Sequence, residues 1–348
     1  MYFSTYLCVV MISVKPYKSV KQLLEAFPTE QSCIDHLEML RWNGNIVSPF
    51  DEDSKVYKCA GNRYRCVNTK KYFTVRTDSI FEGSKIEFRT WFVAIYLFIV
   101  NKRGISSYQL ADELGVTQKT AWFILARLRF AIDPEDDEFD GEIESDESFI
   151  GGKNKNRHKD KKVEKSQGRS FKDKTPVVGL LKRGEYKLVR RPHKVIDGEY
   201  VTEKVTIRPS KVKTFVVEDT KVKTLQPLIL QNIKEGSRLL TDEWMGYVGL
   251  SKQYKHEFID HGRGQYADGD ITTNRIENYW SHLKRSIIGV YYKVSRKHLQ
   301  MYLNERSFRF NNRMSILSEK IDLFLQGISG KRLTYQTLVY GSEISKRS

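Results

Sequence analysis

The stretch Thr272-Thr273-Asn274-Arg275-Ile276-Glu277-Asn278-Tyr279-Trp280-Ser281-His282-Leu283-Lys284-Arg285 decides how the rest of the chain is read. Thr273 or Asn274 suits a helix N-cap, and Glu277 follows within the first turn. Ile276, Tyr279 or Trp280, and Leu283 recur at helical spacing and form a buried stripe. Asn274, Glu277 and Lys284 fall close to one face on successive turns. A carboxylate with a lysine two turns on suits work on phosphates, one holding a metal ion and the other meeting a nucleic-acid backbone. The same residues also read as a capping box followed by a solvated cation. The remainder of the chain has to decide between these.

Two acidic clusters lie upstream. Gly141 to Gly152 reads as a strand, with Ile143 and Ser145 pointing one way and Glu144 and Asp146 the other. Acidic side chains along one strand face need neutralising, and a metal ion does that. Ser237 to Thr241 reads as a short strand ending at Asp242-Glu243. A carboxylate there is placed to hold an ion at a sheet edge, or to cap a helix. Glu144, Glu147 and Glu243 flank these acids and are the positions to which an assignment could slip. Between the clusters, Lys153 to Lys174 is a lysine-rich loop, and Val177–Leu181, Tyr186–Arg190, Val201–Ile207 and Thr214–Val217 read as strands. Tyr186 to Lys213 is long for a simple strand pair, and its middle has no assignment. Lys221 to Ile233 is helical with Pro227 inside, Tyr254 to Ile259 is a strand, and Lys297 to Asn312 is a basic, aromatic helix.

Further back, Ser19 to Trp42 predicts one or two short helices separated by Pro28, and Gly44 to Phe81 predicts a small aromatic β module. Trp91 to Val100 is a continuous apolar helix core. Ile105 to Trp122 then has the pattern of a helix-turn-helix: Ala111 is small where helices cross, Gly115 allows the tight turn, and Thr117 caps the second helix. That cap exposes Gln118, Lys119 and Thr120, with Arg127 and Arg129 continuing a basic face. An ordinary pair of antiparallel helices is the alternative.

The formal net charge is +16, from 59 Lys+Arg against 43 Asp+Glu. This excess favours a polyanionic partner. No apolar run approaches the roughly 18 residues that span a bilayer, so a membrane role is not expected. Cys8, Cys33, Cys59 and Cys66 are too scattered for a disulfide framework and suit a reducing compartment. No C-x₂-C pair exists, so zinc is not expected. Residues 1–14 are apolar but lack a basic n-region and an A-x-A-like site, which favours a packed strand or a start-codon extension over a signal peptide.

Taken together, Ser145-Asp146-Glu147-Ser148-Phe149-Ile150-Gly151-Gly152, Thr241-Asp242-Glu243-Trp244-Met245-Gly246-Tyr247 and the Asn274 to Lys284 helix resemble one family. It is the DDE transposases of bacterial insertion sequences related to the eukaryotic Merlin elements. The likeness extends through Ile287 to Tyr291, Val294 to Gln300 and Phe308 to Asn311, and back to Lys102 to Trp122. The resemblance implies an α+β multi-domain chain. Residues 1–82 would hold N-terminal helices and a degenerate zinc-ribbon-like module, and 83–133 a helix-turn-helix region. Residues 140–315 would form a ribonuclease-H-like mixed α/β catalytic domain, and 316–348 a tail.

By position, Asp146, Asp242 and Glu277 match the family's metal-binding acids, and Lys284 matches the lysine after the third acid. Asp146 would bridge two Mg²⁺ (or Mn²⁺) ions, with Asp242 and Glu277 each completing one shell. Such ions, about 3.5–4 Å apart, serve in-line displacement at phosphorus during cleavage and strand transfer. Gln118, Lys119, Thr120, Arg127, Lys284 and Arg285 would contact double-stranded DNA, with the chain acting as a homodimer or higher oligomer in the cytoplasm, at the nucleoid. Two departures stand out. Ser48-Pro49-Phe50-Asp51 and Cys66-Val67-Asn68-Thr69 occupy the places of the family's two C-x₂-C pairs, and Thr272 stands where a histidine is common. A catalytically silent, DNA-binding transposase remnant is the competing expectation.

Overall fold

The computed structural model describes residues 17–133, 137–151, 159, 162, 174–192, 196, 199–242, 245–259 and 270–341. Residues 1–16, nearly all of the lysine-rich loop, Glu243 and the polar turn His261 to Tyr266 lie outside them. The chain is a mixed α+β protein that divides into two compact units, Met1–Val100 with Ser315–Arg332, and Asn101–Met314 with Leu333–Ser348.

In the first unit, α1 (Val20–Ala26) and α2 (Glu30–Trp42) flank Pro28. Thr29 and Ser32 form a reciprocal capping box at the start of α2, and Asn43 ends it in the left-handed conformation. A three-stranded antiparallel sheet follows: β1 (Val56–Cys59), β2 (Arg63–Cys66) and β3 (Tyr72–Phe73). Trp42 meets Tyr64 and Phe73 edge-on in its core, and those two rings lie tilted against each other. The apolar helix α3 (Phe88–Val100) packs against α1 and α2. The segment expected as a tail holds α9 (Leu317–Gln326), which packs on α2 and α3 through contacts such as Phe98 with Phe324.

The second unit opens with α4 (Ser107–Leu114) and α5 (Gln118–Ala131), joined through Gly115 at φ 63°. Only a residue tolerant of that left-handed conformation fits there. Next come β4 (Glu142–Ile150), β5 (Thr175–Lys182), β6 (Glu185–Pro192), β7 (Tyr200–Arg208) and β8 (Lys211–Val216). Then follow α6 (Val222–Asn232), β9 (Arg238–Asp242), β10 (Lys255–Ile259), α7 (Asn274–Ser286), α8 (Arg296–Asn311) and α10 (Tyr335–Tyr340).

Five of these strands form one sheet in the order β10-β9-β4-β5-β8. The β4–β5 and β5–β8 pairs are antiparallel, whereas β9 runs parallel to β4 and β10 parallel to β9. The sheet is covered on both faces. Ile143, Val178, Leu180 and Leu239 pack with Leu225 and Ile229 of α6. Val177, Leu181 and Val212 pack with Ile276, Trp280 and Leu283 of α7 and Leu299 and Leu303 of α8. Double coverage explains why Thr175 to Leu181 reads as a continuous apolar run instead of an alternating one. Strands β6 and β7 stand apart as a two-stranded ribbon inserted between β5 and β8. Among the described residues, no helix is long and apolar enough to cross a membrane.

Candidate active site

The first two acids meet because β4 and β9 lie side by side in parallel. Glu142 pairs with Arg238, Ile143 with Leu239 and Glu144 with Leu240. Continuing that register by two residues sets Asp242 level with Asp146. Carboxylate oxygens of Asp146, Glu147 and Asp242 all lie within 4.8 Å of one another. Burial pushes the Asp146 carboxyl up to about 7, and the charges of Asp242 and then Glu277 push in the same direction. Removal from water is the larger cause of that shift, and the neighbouring carboxylates add to it. Hard oxygen donors so gathered fit a divalent cation such as Mg²⁺ or Mn²⁺.

Helix α7 brings the third acid over the sheet, and the means of its docking were not legible in its own sequence. The expected side-chain cap from Thr273 or Asn274 is absent. Instead, Glu144 Oε2 accepts from the backbone N–H groups of Arg275 and Ile276, both at 3.0 Å, across 131 and 132 residues of chain. A carboxylate at a helix N-terminus satisfies otherwise orphaned donors and opposes the helix dipole. Glu144 is fully buried and also accepts from Arg183 Nε at 2.8 Å. The same guanidinium donates to the carbonyl oxygens of Asp270 and Thr272, fixing the approach to α7. Glu144 is thereby occupied in holding the helix.

Thr273 donates to Glu277 Oε1 at 2.9 Å, which orients that carboxylate. Glu277 is exposed and lies outside the tight group of three oxygens, yet its charge acts on Asp146. One turn later, the Trp280 indole N–H donates to Asp146 Oδ2 at 3.0 Å. Gly179, paired with Asp146 across β4–β5, makes that contact possible: a Cβ there would lie 2.6 Å from the Trp280 ring and 2.8 Å from Ile276. Lys284 follows on the exposed side of α7. Partial desolvation holds its ammonium below the ordinary lysine value, against an opposing pull from Asp146. From the sequence, Glu147 reads only as a flanking acid and Trp280 only as an alternative to Tyr279 in the buried stripe, and Gly179 and Arg183 carry no role.

A family model for the ISXO2-like transposase domain matches residues 138–311, which contain all of these side chains. The chain belongs to the ISXO2-like transposase family. The transposase is also 26% identical, over 298 residues, to a protein of the transposable element ISH50 of Halobacterium salinarum. That alignment covers 82% of this chain and 92% of its relative. A transposase-like protein of Haemophilus influenzae is 31% identical over 121 residues, 34% of this chain and 95% of that one. No solved structure matches the transposase.

The remaining residues singled out from the sequence lie elsewhere in the transposase. Thr117 caps α5 by accepting from the Thr120 N–H. Gln118 bonds Ser107 at 2.7 Å, and Lys119 stacks over Tyr335 of α10 at 5.3 Å from the ring centroid. The basic continuation expected at Arg127 and Arg129 is not a surface: both side chains are buried. Arg127 stacks on Phe123, and Arg129 enters an ion pair with Glu305 of α8 at 2.6 Å. Both positions fall on the side of α5 that packs inward, which the charge of the residues concealed. Arg285 is exposed and bonds back to Ser281. In the first unit, Ser48, Ser54 and Thr69 surround the buried Cys66 thiol.

Proposed function

We propose that this transposase is a DDE-type enzyme of the Merlin-related group that cuts double-stranded DNA at the ends of its element and joins the freed ends to a target. The observation that carries the reading is the convergence of Asp146 and Asp242 on adjacent parallel strands, beneath the helix that bears Glu277, Trp280 and Lys284. The strand order β10-β9-β4-β5-β8, with the first three strands in sequence antiparallel and the last two parallel to the first, supports a ribonuclease-H-like fold. The α4–α5 pair, with its glycine turn and Thr117 cap, supports a helix-turn-helix that grips DNA through the start of α5.

Asp146, Asp242 and Glu277 would hold divalent metal, with Glu147 close enough to share the task. When bound there, such ions supply an activated attacking oxygen and charge stabilisation at phosphorus. The chain's own groups do the positioning. Trp280 pins one oxygen of Asp146, Thr273 aims Glu277, and Lys284 offers a cation to a DNA phosphate beside the acids. The protein would work as a homodimer or higher oligomer on DNA, in the cytoplasm at the nucleoid.

The competing reading, a catalytically silent DNA-binding remnant, is favoured by one observation. Hydroxyl groups of Ser48 and Thr69 stand beside Cys66 at positions where the resembling family carries zinc ligands. The two readings separate on Asp242→Ala. If the enzyme reading holds, Mg²⁺-dependent nicking and strand transfer on element-end duplexes disappear while duplex binding persists. Near-normal joining by the variant would refute the assignment, and a wild-type chain that binds but never cuts would establish the remnant.

A further inference from the structure

The ribbon formed by β6 and β7 has no part in the proposed chemistry, yet it is a built feature. It interrupts β5 and β8, neighbouring strands that pair from Val177 with Val216 to Lys182 with Lys211. Its neck is closed tightly: a Cβ on Gly184 would lie 2.6 Å from both the Arg208 carbonyl oxygen and the Ser210 nitrogen. Beyond that neck, the described side chains are exposed on both faces, apart from the half-buried Val189 and Val205. An isolated two-stranded ribbon buries little apolar surface and gains from a partner.

Its two faces differ in kind. Register places Tyr186, Leu188, Arg190, Tyr200, Thr202 and Lys204 on one side, with no acidic residue among them. There the cations rest on rings: Lys204 Nζ lies 3.3 Å from the Tyr186 centroid, and the Arg190 guanidinium 4.6 Å from that of Tyr200. The opposite side carries Lys187, Val189, Arg191, Val201, Glu203 and Val205, and there Arg191 is paired with Glu203 at 3.2 Å.

We propose that the Tyr186–Arg190–Tyr200–Lys204 face of the ribbon docks on duplex DNA, a proposal that rests on the reading of the chain as a DNA-transposing enzyme. A two-stranded ribbon fits the major groove of B-form DNA. Arg190 and Lys204 reach phosphates, while the tyrosines and threonines contact sugars and base edges. Charge argues against a second copy of the chain as the occupant, because a symmetric contact would bring this acid-free basic face against itself.

The test measures binding of a labelled mixed-sequence DNA duplex to the full chain, without metal, across a range of salt. The double variant Arg190→Glu/Lys204→Glu is expected to lose about tenfold in affinity, with the slope of log K against log salt shallower by about 2. Lys187→Glu/Arg191→Glu makes the same charge change on the opposite face and should stay within about twofold of the wild type, with matched melting temperatures for all three proteins. Equal binding by the first variant and the wild type would overturn the proposal, as would equal losses in both variants. Loss of self-association with unchanged DNA affinity would assign the ribbon to a second copy instead. A wild-type chain that binds no duplex would overturn the functional reading together with the ribbon, whereas wild-type binding untouched by either variant would overturn the ribbon alone.

Discussion

Glu144 and Asp146 are two residues apart on one face of β4, and their surroundings give them opposite tasks. Glu144 faces two backbone N–H groups and the Arg183 guanidinium, so its oxygens are consumed by the fold. Asp146 is drawn out of water beside Asp242, so desolvation first and that neighbouring charge second raise its carboxyl, against hydrogen bonds from the Glu147 backbone and the Trp280 indole. Removing Glu144 leaves two N–H groups at the start of α7 without their acceptor and takes from Arg183 its fully buried carboxylate partner, leaving it Glu142 and two carbonyl oxygens. Glu144→Ala is therefore expected to lower the unfolding free energy by about 3–5 kcal/mol, read from denaturant melts. A cost under about 1 kcal/mol would mean that Glu144 is not the anchor of α7.

At the scale of elements, the site depends on how closely α7 lies against β5. Gly179 permits that approach, and its backbone φ is ordinary, so space alone demands glycine. Gly179→Ala is expected to push Trp280 outward, break its bond to Asp146 and cost about 1–3 kcal/mol. The check is a shift in Trp fluorescence together with a lower melting temperature. A wild-type spectrum and stability would show that α7 can rise without consequence. The same scale explains the misread basic face of α5. Helical periodicity located the helix, but Arg129 pairs with a glutamate 176 residues away, which no local pattern announces.

For the whole molecule, two carboxyls, the half-buried Asp146 and the buried Glu305, set opposite dependences of stability on pH. Asp146, normally near 3.8, titrates at about 7 in the folded chain. Its stabilising protonated form is fully present below pH 3.8 and is lost as pH rises through about 7. Glu305, normally near 4.5, is held at about 2: burial raises it, but the charges of Arg129 and Arg309 outweigh burial. Its contribution is present above pH 4.5 and is lost as pH falls through about 2. In the metal-free protein, unfolding free energy should decline between pH 5 and 8 by on the order of 3 kcal/mol. Asp146→Asn should flatten that decline. Added Mg²⁺ should restore stability to the wild type above pH 7 and not to the variant. A decline that persists in Asp146→Asn would assign the titration to another group.

Much of this was carried by short-range pattern. The apolar stripe of α7, the alternation along β4, the glycine turn between α4 and α5 and the helix and strand positions are properties of a few consecutive residues. So is the order of Asp146, Asp242, Glu277 and Lys284 along the chain, which supplied the family resemblance. What only the tertiary structure decided is what each acid lies against. Alternation puts Glu144 and Asp146 on one strand face, and the resemblance singles out Asp146, but nothing local gives Glu144 a different task or sets Glu147 beside Asp242. The three differ because parallel pairing with β9 sets Asp242 beside Asp146, and because α7 needs a carboxylate at its N-terminus and finds Glu144 there. Charge environment belongs to distances between segments far apart in the chain, and those distances exist only after folding.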